Sequence, residues 1–250
     1  MPRYDFRSPR LYVEAPLAGG QTLGLDPAQA NYLRNVLRLK AGAPVLVFNG
    51  CDGEWQATLI DSGKRALALA VGEQTRAQTR PLGLHYLFAP LKHARLDYMV
   101  QKAVEMGASR LHPVLTRHTQ VTRVNLDRMR ANAIEAAEQC GILTLPEIAA
   151  PASLEDMLAK RKAERLLVFC DEEAEVRDPI AALAAARPQV GAAPLAVLIG
   201  PEGGFTEDER SALLRAPNVI RLALGPRILR ADTAAVAALT LVGAVLGDWR

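Results

Sequence analysis

Apolar positions along this chain fall into two regimes. Up to about residue 73 they come in short runs broken by turn dipeptides. Val45–Phe48 ends at Asn49-Gly50, Asp52-Gly53 follows, and Trp55–Ile60 and Ala66–Val71 are separated by Ser62-Gly63. Such runs predict short strands joined by tight turns. One helix interrupts them. Asp26 is placed to cap it, Pro27 suits its first position, and it puts Tyr32, Leu33 and Val36 on one face, with Arg34 and Arg38 elsewhere. A small β-barrel accounts for the pattern. Residues 72–81, GEQTRAQTRP, are polar, end in proline and read as a linker.

From His85 onward short apolar runs alternate with helical periodicity. Strands are predicted at Tyr86–Ala89, Leu111–Leu115, Leu166–Phe169, Leu195–Ile199 and Val219–Leu224. Helices are predicted at Arg95–Met106, Leu126–Cys140, Ser153–Lys160 and Thr206–Leu214, with a terminal helix covering Thr233–Leu246. The Ala-rich stretch 181–186 reads as a helical surface segment. Alternating strands and helices, with strands that are continuous apolar runs, predict a parallel sheet covered on both faces. The chain therefore divides into a β-rich part, 1–73, and an α/β part, 74–250.

Two glycine turns carry the chemistry. LIGPEGGFTEDE at 198–209 leaves a buried strand at Ile199, turns through Gly200, Gly203 and Gly204, and opens a helix at Thr206 and Glu209 with a capping-box pattern. The carboxyl end of a parallel strand is where α/β proteins bind ligands. The loop has no phosphate-binding spacing, and Glu202, Glu207, Asp208 and Glu209 would repel a phosphate, so a ligand bearing positive charge suits it better. The second turn follows Leu224 at Gly225. Arg227 and Arg230 flank two apolar residues there, and Asp232 stands where a helix cap belongs. A structural ion pair from Arg230 to Glu202 or Asp232 is the plain alternative to a functional role. His85, His93, His112 and His118 have no Ser or Asp companions in triad spacing, and Cys51, Cys140 and Cys170 show no metal-ligand spacing and read as small hydrophobes.

GPEGG at 200–204 and LGPRILRADTA at 224–234 together resemble the bacterial small-subunit ribosomal RNA uridine-N3 methyltransferases of the SPOUT superfamily. RNVLRLKAG at 34–42, QKAVEMG at 101–107, and EAAEQC at 135–140 followed by PEI at 146–148 are similar to further motifs of that family. Departures stand at Ala231 and Asp232, at Ile142 and Leu143, and around Asn31. The resemblance implies an N-terminal PUA-like barrel that helps hold RNA and a C-terminal SPOUT domain with a trefoil knot. It implies a homodimer acting on ribosomal RNA within the small subunit, and S-adenosylmethionine as methyl donor. The donor would lie against Phe169, Leu198, Ile199, Gly200, Glu202, Gly203, Leu222, Leu224, Gly225, Ile228, Leu229 and Arg230. Arg230 would stabilise charge on the uracil and Glu202 is a candidate base; no metal is needed. A SPOUT enzyme acting on another RNA, or an inactive RNA-binding knot protein, remains the alternative.

Charge sharpens the division of labour. The net charge is only +3, but residues 1–130 carry eighteen Lys and Arg against ten Asp and Glu, while 131–210 carry seven against fifteen. A basic front end suits a polyanion. Arg3, Arg7, Arg10, Arg34 and Arg38, with Lys92, are the candidate RNA contacts. No apolar run reaches the roughly 18–20 residues of a membrane span, and MPRYDFRSPR lacks the apolar stretch of a signal peptide, so a cytoplasmic protein is expected.

Overall fold

The computed structural model describes residues 8–62, 66–175, 178–190 and 194–249. It separates into two compact units. One holds the described residues up to Arg80 together with Ala137–Leu145, and the other holds Pro81–Ala136 and Pro146–Arg250.

In the first unit, β1 (Arg10–Tyr12), β2 (Thr22–Gly24), β3 (Pro44–Phe48), β4 (Glu54–Asp61) and β5 (Leu67–Arg76) form one sheet in the order β1-β3-β4-β5-β2. β1 runs parallel to β3, and the other pairs are antiparallel. Leu11, Leu23, Val45, Val47, Leu59 and Leu69, drawn from all five strands, meet in one buried cluster. A flat sheet could not bring its two edges to one cluster, so the sheet curls round its core. The predicted barrel is thus a curled sheet whose edge strands β1 and β2 are not paired among the described residues. The predicted linker is corrected in its first half, because β5 runs on through Arg76, whose partner in register is Glu54.

The helix α1 (Pro27–Asn31) begins as its sequence dictates. Asp26 accepts from the Gln29 N–H at 2.8 Å, and the Gln29 side chain accepts from the Asp26 N–H at 3.2 Å. It then widens into a π-helical turn, Tyr32–Val36, where the Leu37 N–H reaches the Tyr32 carbonyl at 2.9 Å. An i→i+5 turn breaks the 3.6-residue phase. Leu33 is therefore buried, while Tyr32 and Val36, predicted on the same face, are exposed.

The second unit contains β6 (Leu84–Phe88), α2 (His93–Glu105), β7 (Ala108–Leu115), α3 (Leu126–Cys140), β8 (Glu147–Ile148), β9 (Ala152–Ser153), α4 (Leu154–Lys160), β10 (Leu166–Cys170), α5 (Pro179–Val190), β11 (Leu195–Ile199), α6 (Glu207–Arg215), β12 (Val219–Leu222) and α7 (Ala231–Val245). The last residues of α3 belong to the first unit. The sheet runs β12-β10-β11-β6-β7-β8, with β9 on β7, and every pair is parallel. Every residue of β10 and β11 is buried, as their unbroken apolar runs require. The Ala-rich α5 is not simply a surface segment, since Leu183 and Ala186 are buried. Cys51 and Cys140 are exposed rather than buried as small hydrophobes; Cys170 is buried. Because the strands are parallel, the loops after β6, β7, β10, β11 and β12 all emerge at one edge. No helix among the described residues is long and apolar enough to cross a membrane.

Candidate active site

The loops after β10, β11 and β12 enclose a cavity of about 360 Å3. Of the residues singled out by sequence, Ile199, Gly200, Glu202, Leu224, Gly225, Ile228, Leu229 and Arg230 line it. Phe169, Leu198 and Leu222 do not; they are fully buried within the sheet behind it. The Phe169 ring meets the Phe205 ring edge-on at 5.0 Å. Gly203 is turned instead toward His118, whose Cβ lies 3.1 Å from where a side chain at 203 would begin. Sequence reasoning missed Cys170, Asp171, Glu172 and Phe205, which also line the cavity. The signal was present, since Asp171-Glu172-Glu173 is a polar run at the carboxyl end of a buried strand.

The glycines serve different ends. A Cβ on Gly200 would lie 2.4 Å from the Phe205 ring, and one on Gly204, at φ +68°, would lie 2.6 Å from Glu172 Oε1. These two admit the protein's own side chains. Gly225, at φ +99°, has no atom within 4 Å of its Cβ position, so its bare backbone faces open space. The α6 capping box forms as predicted: Thr206 Oγ1 accepts from the Glu209 N–H at 3.3 Å, and Glu209 Oε2 accepts from the Thr206 N–H at 2.9 Å.

Charge around the cavity is mostly compensated. Asp171, almost fully buried, accepts from Arg221 at 2.6 Å and from Arg210 at 3.2 Å, and Arg210 also pairs with Glu173 at 2.9 Å. Burial works against the Arg210 charge, but Asp171 and Glu173 outweigh it and raise its pKa. Glu202 pairs with Arg95 rather than with Arg230. Glu172 makes no ion pair among the described residues, nor does Arg230, which is exposed. Asp232 is not a cap: α7 begins at Ala231, with Arg230 in the capping position and Asp232 inside the first turn. Burial, and then the neighbouring Asp171, push the Cys170 thiol up to about 12, so it stands in the wall as a neutral group.

Of the candidate RNA contacts, Arg3 and Arg7 lie outside the described residues. Arg10 is corrected: it is 5% exposed, pairs with Glu54 at 2.8 Å and donates to the carbonyls of Ala137, Glu138 and Ile142. A guanidinium so enclosed is not open to a phosphate. Arg34 is exposed and lies 3.3 Å from Asp61. Arg38 is exposed at the end of the π-helical turn, at φ +56°. Lys92 is exposed just before α2.

Family models match both parts of the chain: an RNA methyltransferase domain over residues 78–243 and an RNA methyltransferase PUA domain over residues 25–71. The ribosomal RNA small subunit methyltransferase E of Rickettsia conorii is 32% identical over 234 residues, 93% of this chain and 94% of its own length. The chain belongs to this methyltransferase family. Solved structures show the same fold. A ribosomal RNA small subunit methyltransferase E from Neisseria gonorrhoeae, bound to S-adenosyl methionine, aligns with a TM-score of 0.86 at 27% identity, over 98% of this chain and all of its own. A putative methyltransferase from Legionella pneumophila, in complex with SAM, aligns with a TM-score of 0.80 at 28% identity, over 97% of this chain and 99% of its own. This methyltransferase therefore combines a PUA unit, the curled sheet, with a parallel-sheet catalytic unit.

Proposed function

We propose that this enzyme methylates N3 of a uridine in small-subunit (16S) ribosomal RNA, with S-adenosylmethionine as donor. The observation that carries the reading is the cavity built by the glycine turns after β11 and β12. It is of a size for a nucleoside-sized ligand, it is bordered by open backbone at Gly225, and Glu172 supplies a carboxylate without an ion-pair partner for a cationic donor. Ile199, Gly200, Glu202, Leu224, Gly225, Ile228, Leu229 and Arg230 would hold the donor, with Phe169, Leu198, Leu222 and Gly203 as the packed support behind them. When bound, the donor supplies an activated methyl group and needs no metal. The protein's own residues align the base, remove its N3 proton and exclude water. Arg230 is free to stabilise charge developing on the uracil oxygens.

Arg34, Arg38 and Lys92 would hold the RNA backbone, and a ribosomal RNA substrate would place the enzyme in the cytoplasm. The return of the chain from edge strand β12 to α7, which packs on α2 and β11, supports the trefoil knot. Calorimetric titration should show S-adenosylmethionine binding. Small-subunit RNA from cells with the protein, but not from cells lacking it, should yield N3-methyluridine on nucleoside mass analysis. Absence of donor binding would leave a non-catalytic RNA-binding protein, and a different modified nucleoside would move the target.

A further inference from the structure

A second cavity, of about 390 Å3, opens at the same edge of the parallel sheet and shares Pro201 and Glu202 with the first. Its wall comes from the loops after β6, β7 and β11 and the first turn of α2, and includes Leu91, Lys92, Arg95, His118 and Gln120. Leu91 is buried and gives it an apolar side. The Lys92 ammonium and the Gln120 amide have no hydrogen-bond partner among the described residues.

His118 is held in a defined orientation. Its Nδ1 lies 3.1 Å from the Gly204 carbonyl oxygen. A carbonyl only accepts, so Nδ1 carries the hydrogen, and Nε2 of the neutral ring is a bare acceptor. Nε2 has no partner among the described residues. The Arg117 N–H donates to Glu209 Oε1 at 2.8 Å, which ties this turn to the start of α6. Gly203, within the donor loop, packs against the His118 Cβ. The imidazole thus lines the second cavity while lying against the Gly203-Gly204 turn of the loop that borders the first.

We propose that the second cavity receives the target uracil and that His118 Nε2 takes the proton from N3; this rests on the uridine-N3 reading above. Uracil presents an N–H between two carbonyl oxygens. Its complement is an acceptor between donors, and His118 Nε2, the Gln120 amide and the Lys92 ammonium provide that set. In the step, the N3–H bond breaks, the proton moves to Nε2 to give an imidazolium, and the electron pair stays on N3, where it forms the new bond to the methyl carbon while the bond from that carbon to the donor sulfur breaks, its electron pair staying on the sulfur of the departing neutral thioether. The imidazolium then releases its proton to water. Glu202 is the competing acceptor, but its Oε1 already accepts from Arg95. The charged groups facing the ring are Glu202, Arg95 and Lys92 across the cavity, with Glu209 at the base of its turn.

Two readouts test this. In the donor-free protein, nitrogen NMR of the His118 ring should show the Nδ1–H tautomer, and uridine 5′-monophosphate should perturb Nε2. In single-turnover methylation of small-subunit ribosomal RNA, His118→Ala and His118→Gln should slow the chemistry by about 10²–10⁴-fold. Donor affinity and melting temperature should hold, and added imidazole should restore part of the alanine variant's rate. Wild-type rates in both variants, a ring untouched by the nucleotide, or a slow and destabilised alanine variant that imidazole leaves slow would each overturn the assignment. If the wild-type product is N3-methyluridine and the variants keep their rate, only this assignment falls. If the product is another nucleoside, the target reading falls with it.

Discussion

Arg230 and Arg10 show how little a residue's type says about its task. Both are arginines beside apolar neighbours. Arg10 lies inside the first unit and is enclosed by Glu54 and three carbonyls, with its guanidinium 4.2 Å from the centre of the Phe48 ring. Arg230 is exposed at the cavity rim and has no carboxylate partner among the described residues. The pairing to Glu202 or Asp232 that sequence allowed does not form, because Arg95 takes Glu202 and Asp232 lies within α7. Removing Arg230 should therefore cost little stability. Arg230→Ala is expected to lower the single-turnover rate by about a hundredfold, as loss of an oxyanion-type donor does. The melting temperature should stay close to wild type, and donor affinity should change much less than the rate. Arg230→Lys should recover little, since a point charge does not reproduce the planar fork. Near-normal chemistry in the alanine variant would remove Arg230 from the reaction.

Among elements, the end of α3 is the one whose setting could not be read from its own residues. Its bounds, Leu126–Cys140, were legible from periodicity. Its last turn, however, belongs to the first unit, where long-range partners take its carbonyls. Arg10 donates to Ala137, Glu138 and Ile142, Arg76 donates to Gly141 at 2.9 Å, and both arginines converge on Glu54 at 2.7–2.8 Å. Burial alone would raise the Glu54 pKa, but hydrogen bonds from Arg76 and Arg10 outweigh it and hold the carboxyl below its usual range. A carboxylate depressed in the folded state contributes stability above its unfolded pKa, near 4.5, and loses it as pH falls through the folded value. The first unit should therefore weaken as pH drops below about 4.5, read by Trp55 fluorescence in a Trp249→Phe background. Glu54→Ala should cost about 3–5 kcal/mol at neutral pH, because it takes the carboxylate from the enclosed Arg10 and from the half-buried Arg76. A melting curve that is flat from pH 6 to pH 3, or a silent Glu54→Ala, would show that the cluster does not hold this corner.

For the whole molecule, α7 sets the remaining question. Ala235, Ala238, Leu239 and Val242 are buried in its own unit, while the apolar Val236, Ala237 and Leu241 stay partly exposed. A helix apolar on more than one face calls for cover on more than one side. This supports a homodimer, and sedimentation at micromolar concentration should give about twice the 27.0 kDa chain mass, with Leu241→Glu shifting it to the monomer. A single 27.0 kDa species in the wild-type protein would end the idea. Sequence alone determined β6, β7, β10, β11 and β12 of the parallel sheet, the helix caps at Asp26 and Thr206, and the glycine turns after Ile199 and Leu224, because each rests on local periodicity, backbone freedom or a bond between near neighbours. Only the tertiary structure decided that Asp171 and Glu172 line the cavity, that Arg10 is enclosed, that the π-helical turn exposes Tyr32 and Val36, and that His118 stands beside the glycine loop after β11. Those outcomes depend on contacts between residues tens of positions apart, or on a helical phase that the sequence pattern does not encode.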